Sequence, residues 1–251
     1  MTIRAAQYVS RLSNYLYCCT RAFEAGVPFR QLPTIRYAPN LLAALPRLGD
    51  RPRIVDVGAH RGEWGEVCAR LFPRGQVLSV EPVPAFFYEA ERRSHGFRNW
   101  RVLNAGAGDA AGVLPMDVRG QRSSMRVIAG HQYLDWTEAT PPSNGVEMVR
   151  VDTLDRLLAE HGLNSIDLLK IDTEGYEREI LIGAPETLAR TRQILIEVRF
   201  YELFERAPLF NEIHERLSHQ GFLLMHLKPC TGTCLWADAT YVANARSASG
   251  A

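Results

Sequence analysis

The sequence predicts an α/β fold, in which a seven-stranded, mainly parallel, doubly wound sheet is preceded by a helical extension. Two observations predict it. From Arg53 onward, short apolar runs alternate with segments of helical periodicity, which is typical of repeated βα units. The first run ends at Asp56, and Gly58 and Gly62 follow it in a turn before a helix, as expected where a parallel sheet approaches a ligand.

Residues 1–50 form the predicted helical extension. Between Ala5 and Phe23, apolar residues recur in steps of four and three, which places them on one face of a helix that ends near Gly26. Six arginines against one acid, Glu24, before residue 49 make its solvent side basic. Four roles fit such a segment: packing on its own domain, capping a ligand site, pairing with a second subunit as a homodimer, or peripheral contact with an anionic membrane surface.

The elements after Arg53 follow from the apolar pattern. The predicted strands are Ile54–Val57, Val77–Val80, Trp100–Leu103, Ile166–Ile171, Ile194–Val198, Phe222–His226 and Thr240–Ala243. The predicted helices are Glu63–Leu71, Ala85–Ser94, Thr153–His161, Tyr176–Ile182 and Phe210–Gln220. The interval 104–146 is less regular, and an insertion of this size beside a sheet often shapes a substrate pocket.

Composition narrows the class of protein. The chain has 251 residues, of which 46% are hydrophobic and 23% charged, as in an ordinary globular protein. Its net charge of +1 provides no field that would attract nucleic acid, so no nucleic-acid partner is predicted. We find no apolar run long enough for a transmembrane segment and no signal-peptide pattern. Five cysteines without a framework spacing are predicted to be reduced, and the predicted location is cytoplasmic.

The turn after the first strand predicts a nucleoside-containing cofactor. Glu81 ends the second strand, at the position where an acid accepts hydrogen bonds from a ribose. His60 replaces the second glycine of a dinucleotide-binding pattern, and no Gly-Lys-Ser/Thr follows, so the turn is poorly suited to phosphate. S-Adenosyl-L-methionine (AdoMet) has no phosphate, and its cationic groups suit a turn flanked by Asp56 and Glu81.

Three further acids are predicted at the same edge of the sheet. Asp172 and Glu174 follow the fourth strand, and Glu197 lies within the fifth, where a carboxylate in an apolar run needs a partner. We predict Asp172 and Glu174 as catalytic residues. Glu174 has an alternative role, in which it binds the amino terminus of the following helix.

At these residues the sequence resembles a known family, the FkbM-type methyltransferases. The matching segments are DVGAHRG at 56–62, EP at 81–82, NAGAGD at 104–109, VRVDTLD at 149–155, IDLLKIDTEGYEREIL at 166–181 and ILIEV at 194–198. The segment KIDTEGYE is the most diagnostic. The resemblance extends from Arg53 to the last predicted strand and does not include the first 50 residues.

The resemblance implies a Rossmann-like class I methyltransferase that transfers a methyl group from AdoMet to a hydroxyl of a sugar, a glycan or glycolipid, or a polyketide-like small molecule. It implies an AdoMet-dependent methyltransferase domain at 51–246, between the extension at 1–50 and a small-residue tail at 247–251 that we predict to be disordered. The predicted cofactor-binding residues are Asp56, Gly58, Ala59, His60, Gly62, Glu81, Pro82, Asn104, Ala105 and Asp172.

An aliphatic hydroxyl needs a base or a metal to become a nucleophile. The acids loosely resemble those of metal-dependent catechol-type methyltransferases, so Asp172 and Glu197 are candidate ligands of Mg²⁺ or another divalent cation. His60, His131 and His214 are alternative bases, and Arg122, Arg126 and Arg199 are candidate contacts for an anionic acceptor.

Two other functions stay open from the sequence. One is an NAD(P)-dependent oxidoreductase on a similar sheet, disfavoured by the missing glycine and by the lack of a Tyr-x-x-x-Lys pair. The other is a non-catalytic module that binds AdoMet.

Overall fold

A computed structural model describes residues 38–120, 123–127, 143–229 and 235–244. The predicted helix between Ala5 and Gly26 and the predicted tail lie outside the described residues. None of the described helices has the length and apolar character that crossing a membrane requires.

Strands and helices alternate along much of the chain. The strands are β1 (Arg53–Val57), β2 (Gln76–Val80), β3 (Trp100–Leu103), β4 (Gly106–Gly108), β5 (Gly112–Asp117), β6 (Val146–Thr153), β7 (Leu168–Ile171), β8 (Gln193–Arg199), β9 (Phe222–Pro229) and β10 (Trp236–Ala243). The helices are α1 (Glu63–Leu71), α2 (Pro84–Ser94), α3 (Leu154–Ala159), α4 (Glu177–Ile182), α5 (Pro185–Ala189) and α6 (Phe210–His219). The exceptions to the alternation are the consecutive strands β3 to β6 and β9 to β10 and the consecutive helices α4 and α5.

Seven strands form one sheet in the order β3, β2, β1, β7, β8, β10, β9. All neighbours are parallel except β10, which is antiparallel to both β8 and β9. The predicted doubly wound, mainly parallel sheet is therefore confirmed. The strand order reverses between β1 and β7, so the carboxyl ends of these two strands flank the crevice where such sheets bind ligands.

Both faces of the central strands β1, β7 and β8 are covered, which explains why these strands are largely apolar. Ile54 and Leu168 are buried on one face with side chains of α1, whereas Val55 and Leu169 are buried on the other with side chains of α3 and α6. Because neighbouring residues of a strand point to opposite faces, each strand contributes to both cores.

The described end of the predicted extension packs on the first of these faces. Two short 3₁₀ helices, Pro39–Ala43 and Leu45–Arg47, bring Leu41 and Ala44 into the core without any exposed surface. Residues 38–48 are thus part of the packed domain, although the sequence division places the boundary at residue 50.

Several ends of predicted elements are shifted, most clearly in β10, which begins at Trp236 and not at Thr240. Three differences are larger. A second, three-stranded sheet in the order β4, β6, β5 lies partly within the interval 104–146 that we expected to be irregular. The helix α5 has five residues and was missed. The fourth predicted strand begins at Leu168, because Ile166 forms only an isolated bridge to Thr191.

Candidate active site

The turn after β1 joins two neighbouring strand ends. The backbone N–H groups of Gly58 and Ala59 both donate to the Val80 carbonyl oxygen, at 3.0 and 3.1 Å. Gly58 has a φ of +81°, and a Cβ at this position would lie 1.9 Å from the carbonyl oxygen of Asp172. Only glycine fits both the conformation and the gap. The turn therefore passes tightly between the ends of β2 and β7, with Gly58 on the wall of a cleft.

Glu81 follows β2, and 4% of its surface is exposed. One carboxylate oxygen accepts the backbone N–H of His60 at 2.7 Å, and the other accepts that of Val83 at 2.9 Å. Burial raises the pKa of Glu81 to about 7, although these two hydrogen bonds lower it. The carboxyl group is therefore held rigidly, and its charge changes close to neutral pH.

A cleft with about 550 Å³ of space, open to solvent, lies beside this turn. Of the ten predicted cofactor-binding residues, it brings together Gly58, His60, Glu81, Pro82, Ala105 and Asp172. The apolar wall of the cleft includes Phe86, Met116, Met125 and Tyr176, which are not among the predicted residues. These side chains come from α2, from β5, from the segment after Ser123 and from the end of the loop before α4, so no single motif predicts them.

The other four predicted cofactor residues lie outside this cleft. Asp56 has no exposed surface, Ala59 lies on a second cleft, and Gly62, with a φ of +82°, packs against α2 and β3. Asn104 is exposed, and its side-chain amide donates to both carbonyl oxygens of the Glu81-Pro82 turn. For Asp56, Gly62 and Asn104 this placement indicates that they support the turns of the cleft, and it does not support the predicted direct contact.

Asp56 belongs to a buried chain of polar side chains. Trp100 donates from its indole N–H to the Ser79 hydroxyl at 2.9 Å, and that hydroxyl lies 3.3 Å from Asp56 Oδ2. Lys170 Nζ donates to Asp56 Oδ1 at 3.1 Å and lies 3.4 Å from Asp172 Oδ2. Burial lowers the pKa of Lys170, but the carboxylates of Asp56 and Asp172 raise it by more than burial lowers it. The ammonium group therefore stays charged. These hydrogen-bonded side chains thus link the interior of the sheet to Asp172.

A wider cleft, with about 1630 Å³ of space open to solvent, lies on the other side of the turn. The two clefts share Gly58, His60, Asp172 and Glu174. The Asp172 side chain is 38% exposed. Ligands bound in the two clefts would therefore meet at these four residues, at the carboxyl ends of β1 and β7.

Glu174 occupies a strained turn on the wall of both clefts. It has a φ of +54°, uncommon for a residue with a side chain, and its carbonyl oxygen accepts a hydrogen bond from the Ser124 hydroxyl at 2.7 Å. The loop amides before α4 bind Glu177, whose Oε1 accepts the N–H groups of Thr173 and Gly175. Glu177 thus stabilises the loop that leads into α4, and the alternative role of Glu174 at the helix amino terminus stays a prediction.

The two predicted metal ligands, Asp172 and Glu197, do lie together. With Glu174 they place three carboxylates within 4.8 Å of one another. The Arg199 guanidinium lies among them: Nη2 donates to Glu174 Oε2 at 2.7 Å and to Glu197, and Nη1 lies 3.5 Å from Glu177. Burial raises the pKa of Glu197 well above its ordinary value. The cluster thus contains its own cation.

The alternative bases differ in position. His60 lines both clefts, its ring lies 4.3 Å from that of Phe86, and its Nε2 has no hydrogen-bond partner within the described residues. Burial lowers the pKa of His60, so the ring is neutral at neutral pH. His214 lies on α6, with its Nδ1 3.3 Å from the Tyr241 hydroxyl. His131 lies outside the described residues.

Two of the three arginines predicted to bind an anionic acceptor, Arg126 and Arg199, lie within the described residues, and both pair with groups of the protein. Arg126 donates to the carbonyl oxygen of Gly175 at 2.6 Å and pairs with Glu179, so its guanidinium stabilises the loop before α4. Arg199 pairs with carboxylates of the protein, and Arg122 lies outside the described residues.

Comparison with known families decides the class of this protein. Residues 56–224 match the family described as the methyltransferase FkbM domain. The chain belongs to this family. The resemblance stated from the sequence motifs is confirmed, and the matched segment begins within β1 and ends within β9.

Three methyltransferases are among the curated relatives of this FkbM family member. The 2-O-methyltransferase NoeI of Sinorhizobium fredii is 27% identical over 61% of this chain and 66% of its own length, just under two thirds. The methyltransferase sdnD of Sordaria araneosa is 26% identical over 71% of this chain and 76% of its own. The 31-O-demethyl-FK506 methyltransferase FkbM of Streptomyces tacrolimicus is 30% identical over 64% and 78%.

Solved structures agree in fold. Fibrillarin of Aeropyrum pernix, in complex with natively bound S-adenosyl-L-methionine, has a TM-score of 0.50 and 14% identity, with 82% of this chain and 75% of that chain covered. A fibrillarin/Nop5p complex has a TM-score of 0.51 and 11% identity, covering 81% and 80%. At this identity the likeness shows the shared fold alone, that of Rossmann-like methyltransferases.

Proposed function

We propose that this FkbM family member is an AdoMet-dependent O-methyltransferase whose acceptor is a hydroxyl of a sugar, a glycan or a polyketide-like natural product. The observation that carries the proposal is the position of Asp172, a partly exposed carboxylate on the wall shared by both clefts. The names of two relatives, a 2-O-methyltransferase and a 31-O-demethyl-FK506 methyltransferase, support oxygen as the acceptor atom.

The narrower cleft fits AdoMet. Glu81 offers a fixed carboxylate for a ribose diol. Gly58 lines the same cleft, and its lack of a side chain lets the turn pack directly against the Asp172 carbonyl. Phe86 and Met116 supply an apolar surface for an adenine ring. Acidic groups nearby suit the positively charged sulfonium and ammonium of the cofactor. We infer that the cofactor lies in this cleft, with Pro82 and Ala105 on its wall.

The wider cleft fits a polyhydroxylated acceptor. Its wall carries Glu63 and Glu174, which can accept hydrogen bonds from hydroxyl groups, and the partly exposed Trp236, whose ring can stack on the apolar face of a sugar. An acceptor hydroxyl placed at the shared wall would lie beside Asp172. This placement supports methyl transfer across the junction of the two clefts.

The reaction joins the acceptor oxygen to the methyl carbon as the bond from that carbon to sulfur breaks, and AdoMet supplies the methyl group on a sulfonium. The chain mainly aligns the two reactants. Asp172 takes the proton of the acceptor hydroxyl, while Lys170, 3.4 Å from Asp172 Oδ2, fixes the orientation of this carboxylate. His60 lies on the same wall and is the alternative base.

Methyl transfer to oxygen is directly testable. The full chain is incubated with AdoMet labelled in its methyl group and with a panel of monosaccharide glycosides, chito-oligosaccharides and macrolide diols. We expect label in at least one hydroxylated acceptor, as a methyl ether stable to mild alkali. AdoMet binding without transfer to any member of the panel would favour the non-catalytic module, and binding of NAD(P) in place of AdoMet would contradict the proposed function.

We expect the affinity for AdoMet to rise about tenfold between about pH 6 and pH 8, because Glu81 must be ionised to accept two ribose hydroxyls and its pKa is about 7. Below that pKa the group carries a proton and loses acceptor capacity, so protonation weakens binding. Isothermal titration calorimetry across this range measures the slope.

The matched controls are Glu81→Gln, which cannot ionise, and Glu160→Gln, an exposed glutamate at the end of α3. The amino group of AdoMet also titrates in this range, so the readout is the difference in slope between variants. Equal slopes for wild type and Glu81→Gln would show that Glu81 does not contact the ribose.

The cytoplasmic location, the homodimer and the peripheral membrane contact of the basic amino-terminal segment stay predictions from the sequence.

A further inference from the structure

The acidic cluster has the composition of a cation site. Asp172, Glu174 and Glu197 offer oxygen atoms that all lie within 4.8 Å of one another, on the wall of the wider cleft. Oxygen ligands of this kind are those that Mg²⁺ and Mn²⁺ prefer. The geometry of the carboxylates alone would therefore admit a divalent ion.

Arg199 occupies that position with its own charge. It follows Glu197 by two residues on β8, so both side chains lie on the same face of the sheet. A single nitrogen, Nη2, bridges Glu174 Oε2 and Glu197 Oε2. A divalent ion bound to these two oxygens, at about 2.1 Å from each, would lie close to this nitrogen and would be repelled by the guanidinium charge.

The guanidinium of Arg199 also has contacts on the side away from Glu174 and Glu197. Arg199 is 3% exposed, its Nη1 lies 3.5 Å from Glu177, and its guanidinium carbon lies 5.3 Å from the centre of the Phe204 ring. Glu177 is itself fixed by the loop amides of Thr173 and Gly175. Moving Arg199 aside would leave Glu177 buried without its cation, which is strongly unfavourable.

We propose that Arg199 takes the place of a divalent cation in this site: it positions Glu174 and Glu197 at the wall of the acceptor cleft, and methyl transfer requires no metal ion. This inference rests on the proposed function for its kinetic part only. Arg199 is then a positioning residue that acts through Glu174, which lines both clefts. The divalent cation expected from the three acidic residues is thus excluded by the side chain of Arg199, which follows Glu197 by two residues.

The first test is Mn²⁺ binding, which does not depend on activity. The chelator-treated full chain is titrated with Mn²⁺, and free Mn²⁺ is followed by electron paramagnetic resonance. We expect no stoichiometric site, and no change in methyl transfer between buffers with EDTA and with Mg²⁺. A stoichiometric Mn²⁺ site that is lost in Asp172→Asn would overturn the proposal, even if the chain transferred no methyl group at all.

The second test separates positioning from mere structural support. We expect Arg199→Gln to lower kcat about 100-fold while AdoMet affinity changes less than about threefold, and Arg199→Lys to recover at least about a tenth of the lost activity. Arg192→Gln is the control, because Arg192 lies just before the same strand with its side chain 78% exposed. If Arg199→Gln does not fold, Arg199→Lys and the wild-type Mn²⁺ titration still decide. Wild-type kcat in either Arg199 variant would contradict the positioning role.

Discussion

Replacing Asp172 by Asn should lower the rate of methyl transfer about 100- to 10 000-fold, the range that a general base supplies, while the affinity for AdoMet stays within about threefold. Asparagine keeps the size of the side chain but cannot take a proton from the acceptor hydroxyl. The carboxylate lies on the wall shared by the two clefts, and its side chain is 38% exposed, so it can reach a ligand without rearrangement.

The measurement is single-turnover transfer of labelled methyl to the best acceptor of the panel, with AdoMet binding followed by calorimetry. Asp50→Asn is the matched control, since its side chain is 73% exposed and lies before β1, away from the clefts. Wild-type turnover in Asp172→Asn would remove Asp172 as the base. His60→Gln would then be the next variant, because the His60 ring lines the same wall.

A loss of rate in Asp172→Asn also has to be separated from a loss of folding. Asp172 Oδ2 lies 3.4 Å from Lys170 Nζ, which also donates to the fully buried Asp56. Because the hydrogen bond from Lys170 to Asp56 remains in Asp172→Asn, we expect the melting temperature of this variant to fall only slightly. A large fall in melting temperature together with a loss of AdoMet binding would mean that the rate reports unfolding.

The sequence predicts the acids of this site better than the cations that organise them. Asp172 and Glu174 could be placed because they follow an apolar strand, and parallel strands end at one edge of the sheet. Arg199 and Lys170 lie in equally apolar runs, where a charged residue needs a partner, and that signal was available for both. Which carboxylate each one meets depends on strand register, since Lys170 is opposite Asp56 only in the observed pairing of β1 with β7.

The elements that were missed have weak local signals. The strand β4 consists of Gly106, Ala107 and Gly108, which have low strand propensity, and it exists because β6 pairs with it. In β6 the apolar residues change face, since Val146 and Met148 are exposed whereas Val149 and Val151 are buried, so its sequence shows no single period of two. The five-residue helix α5 is too short for periodicity to indicate.

Removing the ammonium group of Lys170 should be the most destabilising single change in this region. We expect Lys170→Met to lower the free energy of unfolding by about 3 to 5 kcal/mol at neutral pH, the usual effect of removing one partner of a buried ion pair. Asp56 has no exposed surface, and without Lys170 its remaining side-chain partner among the described residues is the Ser79 hydroxyl at 3.3 Å. Urea unfolding at about pH 7 measures the loss.

Its pH dependence distinguishes a stranded charge from simple loss of packing. Burial raises the pKa of Asp56 even with Lys170 present, and removing that cation raises it further. A carboxyl group whose pKa is raised by folding binds its proton more tightly in the folded state. The destabilising effect of the Asp56 carboxylate is therefore absent below the pKa of this group in the unfolded chain, near 3.8. It grows as the pH rises towards the pKa of Asp56 in the folded protein. The loss of unfolding free energy in Lys170→Met, relative to wild type, should therefore become smaller as the pH is lowered.

Two further variants complete the test of the buried pair. The double variant Lys170→Met, Asp56→Asn should recover part of the lost stability at neutral pH, because no uncompensated charge remains. Arg74→Met removes an exposed ion pair to Asp50 and should change stability by at most about 1 kcal/mol. A Lys170→Met deficit that is independent of pH and unchanged by Asp56→Asn would show that Lys170 contributes through its packing on Trp64, whose ring centre lies 5.6 Å from Nζ.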